Sequence, residues 1–179
     1  MKVLGIDPGT AITGYGVVER AANGALSLRE CGVVRTERRA PLPERLCEIY
    51  RGVEELVGAH SPDVVAVEGV FFGKNVRTAV VLGHARGAIL VAAAMRGIPV
   101  AEYPPAEIKN AIVGTGRATK DQVGFMVQRI LKLRQPPRPD DAADGAAVAI
   151  CHIFRATGVG SQAAAPFSLP ALAKARGLA

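Results

Sequence analysis

The stretch that most constrains the fold is a predicted hairpin in residues 1–16, whose first strand ends on a carboxylate. The apolar run Val-Leu-Gly-Ile predicts a buried strand, and Asp7 follows it directly. Pro8 and Gly9 then predict a turn, because proline fixes φ and glycine tolerates positive φ. A carboxylate at the end of a core strand is costly to bury unless a cation meets it. Asp7 is therefore either an ordinary turn residue or one member of a larger acidic site, and the hairpin leaves both open.

The strand and helix patterns predict an α/β fold with a five-stranded mixed sheet flanked by helices. The predicted strands cover residues 3–7, 13–18, 26–36, 63–68 and 98–103. The first three follow one another through short turns, so they pair antiparallel. A helix with one apolar face runs from Pro41 or Pro43 to about His60, and a strand entered from such a helix normally runs parallel to an earlier strand. Three antiparallel strands plus two parallel strands are the expected result.

The fourth predicted strand repeats the opening pattern, because its apolar run ends on Glu68. If this strand lies beside the first, Glu68 and Asp7 finish at the same edge of the sheet, which is where ligands bind in open α/β sheets. The plain alternative is that Glu68 is a surface charge at the end of a strand.

The last predicted helix begins at Asp140, runs to about Thr157, and carries two further acids on one face. Acidic residues are common at helix N-termini because they cap the backbone and oppose the dipole. That explains Asp140 well and Asp141 partly, but Asp144 lies a full turn inside the helix. Asp141 and Asp144 are three residues apart and therefore project from the same face.

Basic and aromatic residues suggest a nucleic-acid partner. The chain has 22 Lys and Arg against 16 Asp and Glu, with a net charge of +6 and a pI of about 9.6, which favours nucleic acid without requiring it. The candidate contact residues fall in two groups, a loop after Glu68 and a basic cluster further along: Phe71, Phe72 and Lys74; Lys109, Arg117 and Lys120. The aromatics either fold onto the core or stack on bases. The cations are either solvated charges or phosphate ligands.

Four carboxylates at one point would repel one another and raise each other's pKa, and divalent cations remove that cost. The four candidates are Asp7, Glu68, Asp141 and Asp144. Ligands that offer only oxygen suit Mg²⁺ or Mn²⁺. Two such ions about 3.5–4 Å apart can activate water and stabilise the leaving oxygen of a phosphodiester. The residues therefore predict phosphodiester hydrolysis with two Mg²⁺ ions, for which Mn²⁺ can substitute.

The helix predicted for residues 75–96 is apolar around most of its circumference, so we expect it to be buried on more than one side. Ala79, Gly83 and Gly87 form a stripe of small residues at four-residue spacing. Such a stripe lets another backbone approach closely, either the sheet or a second subunit. A homodimer is therefore plausible from this helix.

Three widely spaced cysteines, Cys31, Cys47 and Cys151, are predicted to be small core residues in a reducing compartment. The sequence shows no signal peptide, and the apolar run at residues 88–95 is too short to span a bilayer. We expect a cytoplasmic protein with no membrane partner. Residues 1–158 form the predicted nuclease domain, and residues 159–179 form a flexible C-terminal tail.

Several motifs, in order along residues 1–157, also resemble those of a known family. They are Gly-Ile-Asp-Pro-Gly-Thr at 5–10 with Thr-Gly-Tyr-Gly at 13–16, Val-Glu at 67–68 followed by Val-Phe at 70–71, Lys-Asn at 74–75, Gly-His-Ala-Arg-Gly at 83–87 and Asp-Ala-Ala-Asp at 141–144. Together they resemble the RuvC family of Holliday-junction resolvases, the bacterial crossover junction endodeoxyribonucleases. The resemblance implies a ribonuclease-H-like fold, a homodimer, Mg²⁺ dependence and a four-way DNA junction as substrate.

The same resemblance implies two symmetric nicks that leave ligatable 5′-phosphate and 3′-hydroxyl ends. It also implies work beside the RuvA–RuvB branch-migration complex in recombination and DNA repair. The four acids match the family's metal-binding catalytic residues, and some members have His where Asp141 stands. Phe71 matches the aromatic that stacks at the junction centre, while Lys109 and Lys120 match residues associated with DNA contact. Gly69 departs from the larger polar residue that is usual after the catalytic Glu, and the tail has no counterpart.

Three other functions compete with this prediction. An actin-like sugar kinase or ATPase also opens with Asp-x-Gly-Thr, but it normally needs two such domains and a second phosphate loop. A junction-binding module without catalysis would be expected to have lost an acid. A related ribonuclease-H-like nuclease acting on RNA or on RNA–DNA hybrids is argued against by the motifs around Phe71, though less decisively.

Overall fold

The computed structural model describes residues 1–69 and 76–158 and contains one five-stranded sheet. The strands are β1 (Lys2–Asp7), β2 (Ile12–Arg20), β3 (Leu26–Arg35), β4 (Val64–Glu68) and β5 (Val100–Tyr103). Their order across the sheet is β3-β2-β1-β4-β5. β1, β2 and β3 pair antiparallel, whereas β4 and β5 run parallel to β1. The predicted mixed sheet is confirmed, with β1 at its centre.

Five helices in the described residues cover the two faces of this sheet. They are α1 (Leu42–His60), α2 (Val76–Met95), α3 (Pro105–Val113), α4 (Lys120–Ile130) and α5 (Asp140–Ala156). Helices α1 and α2 pack together over one face, and α3, α4 and α5 pack over the other. Side chains of β1 alternate between the two cores, since Val3 packs with α3, α4 and α5, whereas Leu4 and Ile6 pack with α1 and α2.

Helix α5 lies directly on the backbone of the β1–β2 hairpin because glycines line the contact. A Cβ built on Gly5 would stand 2.2 Å from the carbonyl oxygen of Gly145, and one on Gly16 would stand 2.6 Å from Ala146 Cα. A Cβ on Gly145 would in turn meet the backbone of Tyr15 at 2.5 Å. Real Cβ atoms do not approach so closely, so glycine at these positions sets the height of α5 above the sheet.

Helix α2 departs from the expectation that it is buried on several sides. Its buried residues are Ala85, Ile89, Ala92 and Ala93, whereas Val80 and Val91 are more than half exposed. No described atom lies within 4 Å of a Cβ built on Gly83 or Gly87. The small-residue stripe was predicted to face either the sheet or a second subunit. The structure shows that Gly83 and Gly87 do not face the sheet.

Two further expectations, on the length of the apolar helix and on the burial of the cysteines, differ from the structure. Helix α2 is long and apolar enough to span a bilayer, because its twenty residues include only two charged ones, Arg77 and Arg86. Helices that pack inside a protein core can meet the same criterion. The sequence-based prediction concerned only the uncharged run at residues 88–95, which is shorter than the whole helix. Only Cys151 is buried; Cys31 is half-buried and Cys47 is exposed, so the core assignment is wrong for Cys47.

Some predictions lie outside the described residues. These are the loop aromatics Phe71 and Phe72, the neighbouring Lys74, and the tail at residues 159–179.

Candidate active site

Three aspartates meet at the carboxyl end of β1. One carboxylate oxygen from each of Asp7, Asp141 and Asp144 lies within 4.8 Å of the others. Asp7 is the last residue of β1, and the other two project from the first two turns of α5. The predicted convergence of a strand-end acid with two acids on one helix face is therefore present in the structure.

The β1–β2 hairpin explains why the aspartates can meet. Asp7 pairs with Gly14 across the hairpin, and a Cβ on Gly14 would stand 1.9 Å from the carbonyl oxygen of Asp141. Because Gly14 has no side chain, the first turn of α5 rests on the residue opposite Asp7. The contact between Gly145 and Tyr15 then fixes the next turn, from which Asp144 projects.

Glu68 lies near the three aspartates but is not one of the group whose carboxylate oxygens meet. It ends β4, which runs parallel to β1, and the next residue, Gly69, donates its backbone N–H to Tyr103 O at 2.8 Å. With Asp7 and Asp144 it lines a cavity of about 250 Å³, here called the acid cavity. The fourth acid thus stands beside the aspartate group, as its position at a strand end predicts.

Burial and repulsion from neighbouring carboxylates disfavour the ionised forms of Asp7 and Glu68. Burial, followed by the charges of Asp144 and Asp141, raises the pKa of Asp7 to about 7, although Lys120 opposes the rise. Burial, followed by the charges of Asp7 and Asp144, raises the pKa of Glu68 to about 8, against the effect of Lys109 and Lys120. Each acid would bind a cation at the cost of a proton near neutral pH.

Two lysines from different helices enter the acid cavity. Lys120 Nζ lies 2.9 Å from Asp144 Oδ2, and this hydrogen bond raises the pKa of Lys120. Lys120 is the first residue of α4, which begins with a capping box between Thr119 and Gln122. Lys109 reaches the cavity from α3. Arg117, the third predicted cation, is exposed in the link between α3 and α4 and does not line the cavity.

Phe125, which is exposed on α4 beside Arg129, is not among the predicted contact residues. The available signal was helical spacing: Val123 and Val127 are the buried residues of α4, and Phe125 falls midway between them. At 3.6 residues per turn, that position faces away from the core.

The sheet order, with acids at the ends of β1 and β4 and on the last described helix, defines a nuclease of the ribonuclease-H-like class. The family model described as crossover junction endodeoxyribonuclease RuvC matches residues 3–152. The chain therefore belongs to the RuvC family of crossover junction endodeoxyribonucleases.

Relatives and solved structures agree with this assignment. A crossover junction endodeoxyribonuclease RuvC of Pelotomaculum thermopropionicum is 51% identical over 157 residues, covering 88% of this chain and 95% of the relative. The structure of Thermus thermophilus RuvC superposes with a TM-score of 0.83 at 39% identity, covering 92% of this chain and all of that one. The T. thermophilus RuvC in complex with Holliday junction substrate gives a TM-score of 0.82 at 37% identity, covering 93% and 100%.

Proposed function

We propose that the protein is a homodimer that resolves four-way DNA junctions by metal-dependent hydrolysis. Each protomer cuts one phosphodiester bond of the DNA. The observation that carries the chemistry is the group of three aspartate carboxylates within 4.8 Å of one another. The proposed catalytic metal ligands are the four acids of the site: Asp7, Glu68, Asp141 and Asp144. Mg²⁺ is the proposed metal, two ions per site, with Mn²⁺ able to substitute.

The side chains present fit a divalent metal. They offer only oxygen donors, which hard cations such as Mg²⁺ prefer. Without a cation, burial and repulsion raise the pKa of Asp7 to about 7 and that of Glu68 to about 8. The arrangement therefore carries an electrostatic cost that a bound cation would remove.

When bound, the divalent metal supplies a Lewis acid for the phosphodiester and lowers the pKa of a water. The chain's own residues orient the reaction. Asp7 is held at the end of the central strand β1, where it pairs with Gly14. Asp144 is positioned by the close backbone contact of α5 with the β1–β2 hairpin. Lys109 and Lys120 place positive charge in the acid cavity, where a phosphate must enter.

DNA contacts beyond the acid cavity are proposed from position and family resemblance. Lys109, Arg117 and Lys120 form a basic rim that follows the phosphates. Phe71 is proposed to stack at the junction centre, with Phe72 and Lys74 in the same loop.

The exposed face of α2 supports a homodimer. Val80, Val91 and Met95 are 54%, 53% and 68% exposed, and the small-residue stripe at Gly83 and Gly87 meets no described atom. A second copy of α2 would bury this surface, and the close approach that glycine permits suits two helices. We therefore assign the face to a second subunit and not to a membrane. Two active sites related by symmetry would then make two symmetric nicks, leaving 5′-phosphate and 3′-hydroxyl ends.

Membership of the RuvC family supports a role in recombination and DNA repair, beside a RuvA–RuvB branch-migration complex. Three free cysteines support a reducing, cytoplasmic location.

A nuclease assay tests the proposal. The purified protein is given a four-way junction, a duplex of the same sequence and an RNA–DNA hybrid, each with Mg²⁺, with Mn²⁺ and with EDTA. We expect paired nicks in the junction alone, dependent on the metal, with ends that DNA ligase reseals. Equal cleavage of the hybrid would favour the ribonuclease alternative, and cleavage in EDTA would overturn the role of the acids.

A further inference from the structure

A second cavity opens beside the acid cavity and has no part in the function proposed so far. It has a volume of about 230 Å³ and shares Lys120 and Asp144 with the acid cavity. Its walls are α4, the first turns of α5 and the segment that connects them, with Phe125 and Arg138 among its lining residues. We call it the α4 groove. Because the two cavities share Lys120 and Asp144, a strand with a phosphate at Asp144 can continue from the acid cavity into this groove.

Phe125 gives the α4 groove an exposed aromatic surface. Its side chain is 58% exposed, and the Arg129 guanidinium carbon lies 5.9 Å from the centre of its ring. The other large exposed hydrophobic residues in the described part of the chain are Met1 and four residues of α2. Helix α2 packs in the layer on the opposite face of the sheet. A dimer formed through α2 therefore leaves Phe125 uncovered.

Phe125 has cationic neighbours that can contact a phosphate, in a groove that is also lined by three acids, Asp121, Asp140 and Asp144. Two of these acids pair with cations of the groove, Asp144 with Lys120 and Asp140 with Arg138. Arg129 and Arg138 are both exposed, and Lys120 stands where the two cavities join. Arg138 pairs with Asp140 at 3.0 Å, but both side chains are at least 75% exposed, so a phosphate can replace the carboxylate at little cost. An aromatic ring beside guanidinium groups is the arrangement on which unpaired or strand-end bases stack.

We propose that the α4 groove is a subsite for one nucleoside of the cleaved DNA strand, next to the scissile phosphate, with its base stacked on Phe125. Arg129 and Arg138 contact the phosphate on its far side. The inference rests on the proposed function, because it needs DNA in the acid cavity. It adds a second aromatic contact, in the opposite helical layer from α2.

The test compares Phe125→Ala and Phe125→Trp with the unmodified protein on a four-way junction in EDTA, which keeps the strands intact. 2-Aminopurine replaces one base at a time on each side of the cleavage position. We expect Phe125→Ala to weaken junction binding roughly 5- to 100-fold, the range for loss of one stacked base. It should also abolish the fluorescence change at one flanking position. Phe125→Trp should retain both.

Arg129→Gln and Arg134→Gln form a matched pair, because both residues are exposed arginines outside the groove lining, and Arg129 lies against the ring of Phe125, which lines the groove. Arg129→Gln should weaken binding more. The thermal midpoints of all the variants should stay near that of the unmodified protein, since these side chains are exposed.

Unchanged junction affinity and unchanged fluorescence at every flanking position in Phe125→Ala would overturn the proposal. So would a loss of self-association without any change in DNA binding, which would assign the groove to contact between copies of the chain. If the unmodified protein neither binds nor cuts a junction, the proposed function fails instead, and the two failures are thereby distinguished.

Discussion

Asp7 and Glu68 end neighbouring strands, and burial together with like charge favours the protonated form of both carboxyls. Lys120 offsets part of this charge through its contact with Asp144. A site of this kind gains more from a divalent cation than an exposed acidic cluster does, because the repulsion acts in a partly dehydrated cavity.

Asp7→Asn should slow junction cleavage at least about 100-fold, since even outer-shell partners of metal ligands contribute 10- to 100-fold. Junction binding should persist, because the lysines and the aromatic residues are untouched. Single-turnover cleavage and a binding titration measure the two effects. Glu44→Gln is the control: Glu44 is an exposed acid in the first turn of α1, on the other face of the sheet. Cleavage by Asp7→Asn at an unchanged rate would contradict the metal site.

The metal-free protein should lose stability as pH rises to about 8. The pKa values of Asp7 and Glu68 are raised from 3.8 and 4.5 to about 7 and about 8. The folded state therefore keeps protons that the unfolded chain releases near pH 4. This stabilisation is complete at low pH and is lost as pH rises through the folded-state values.

Glu68→Gln should accordingly raise the thermal midpoint in EDTA at pH 8 and change it little at pH 5. Saturating Mg²⁺ should remove most of the difference at pH 8, because the metal relieves the same repulsion in the unmodified protein. Calorimetry in both buffers measures it. An equal effect of the substitution at both pH values would contradict the pKa assignment.

At the scale of elements, α5 is positioned by backbone contact with the β1–β2 hairpin. Gly5 and Gly16 on the strands face Gly145 and Ala146 on the helix. Because no side chain stands between the two backbones, this contact fixes the distance of α5 from the sheet. That distance brings Asp141 and Asp144 to Asp7.

Gly5→Ala should destabilise the fold by at least about 3 kcal/mol, because its Cβ would stand 2.2 Å from Gly145 O. Gly58→Ala is the matched control. Gly58 lies in α1 with no described atom within 4 Å of a built Cβ. Alanine there should stabilise the protein by about 0.5–1 kcal/mol through helix propensity. Urea unfolding measures both, and similar values for the two variants would contradict the close contact of α5.

Much of this arrangement could be predicted from the sequence. The apolar runs ending on Asp7 and Glu68 defined two strands, and the spacing of Asp141 and Asp144 placed both on one helix face. The ion pair of Lys120 with Asp144 could not be predicted, because it depends on the distance between α4 and α5. Nor could the backbone contact at Gly5, since a glycine in a strand does not identify what lies against it.

At the scale of the whole molecule, the two helical layers have different surroundings. The α3–α5 layer carries the acid cavity and the α4 groove. The α1–α2 layer presents apolar residues of α2 to solvent. Catalysis and self-association are therefore proposed on opposite faces of one sheet, so that a dimer would leave both acid cavities open to DNA.

Gly83→Leu should weaken the dimer roughly 5- to 150-fold, because overfilling a close helix contact costs about 1–3 kcal/mol. The fold of the single chain should tolerate the change, since no described atom lies within 4 Å of the built Cβ. Sedimentation across a concentration series measures the dissociation constant, with Gly58→Leu in α1 as the matched control. A dimer of unchanged affinity would place the interface elsewhere.

The proposed acidic ligands come from distant parts of the chain, Asp7 in the first strand and Asp141 and Asp144 in the last described helix. During translation, a nascent chain that extends only from β1 to β5 contains Asp7 and Glu68 but neither Asp141 nor Asp144. A product truncated before Asp140 by a premature stop codon lacks the same two ligands. On the proposed mechanism, partial chains should therefore lack nuclease activity until synthesis has passed α5.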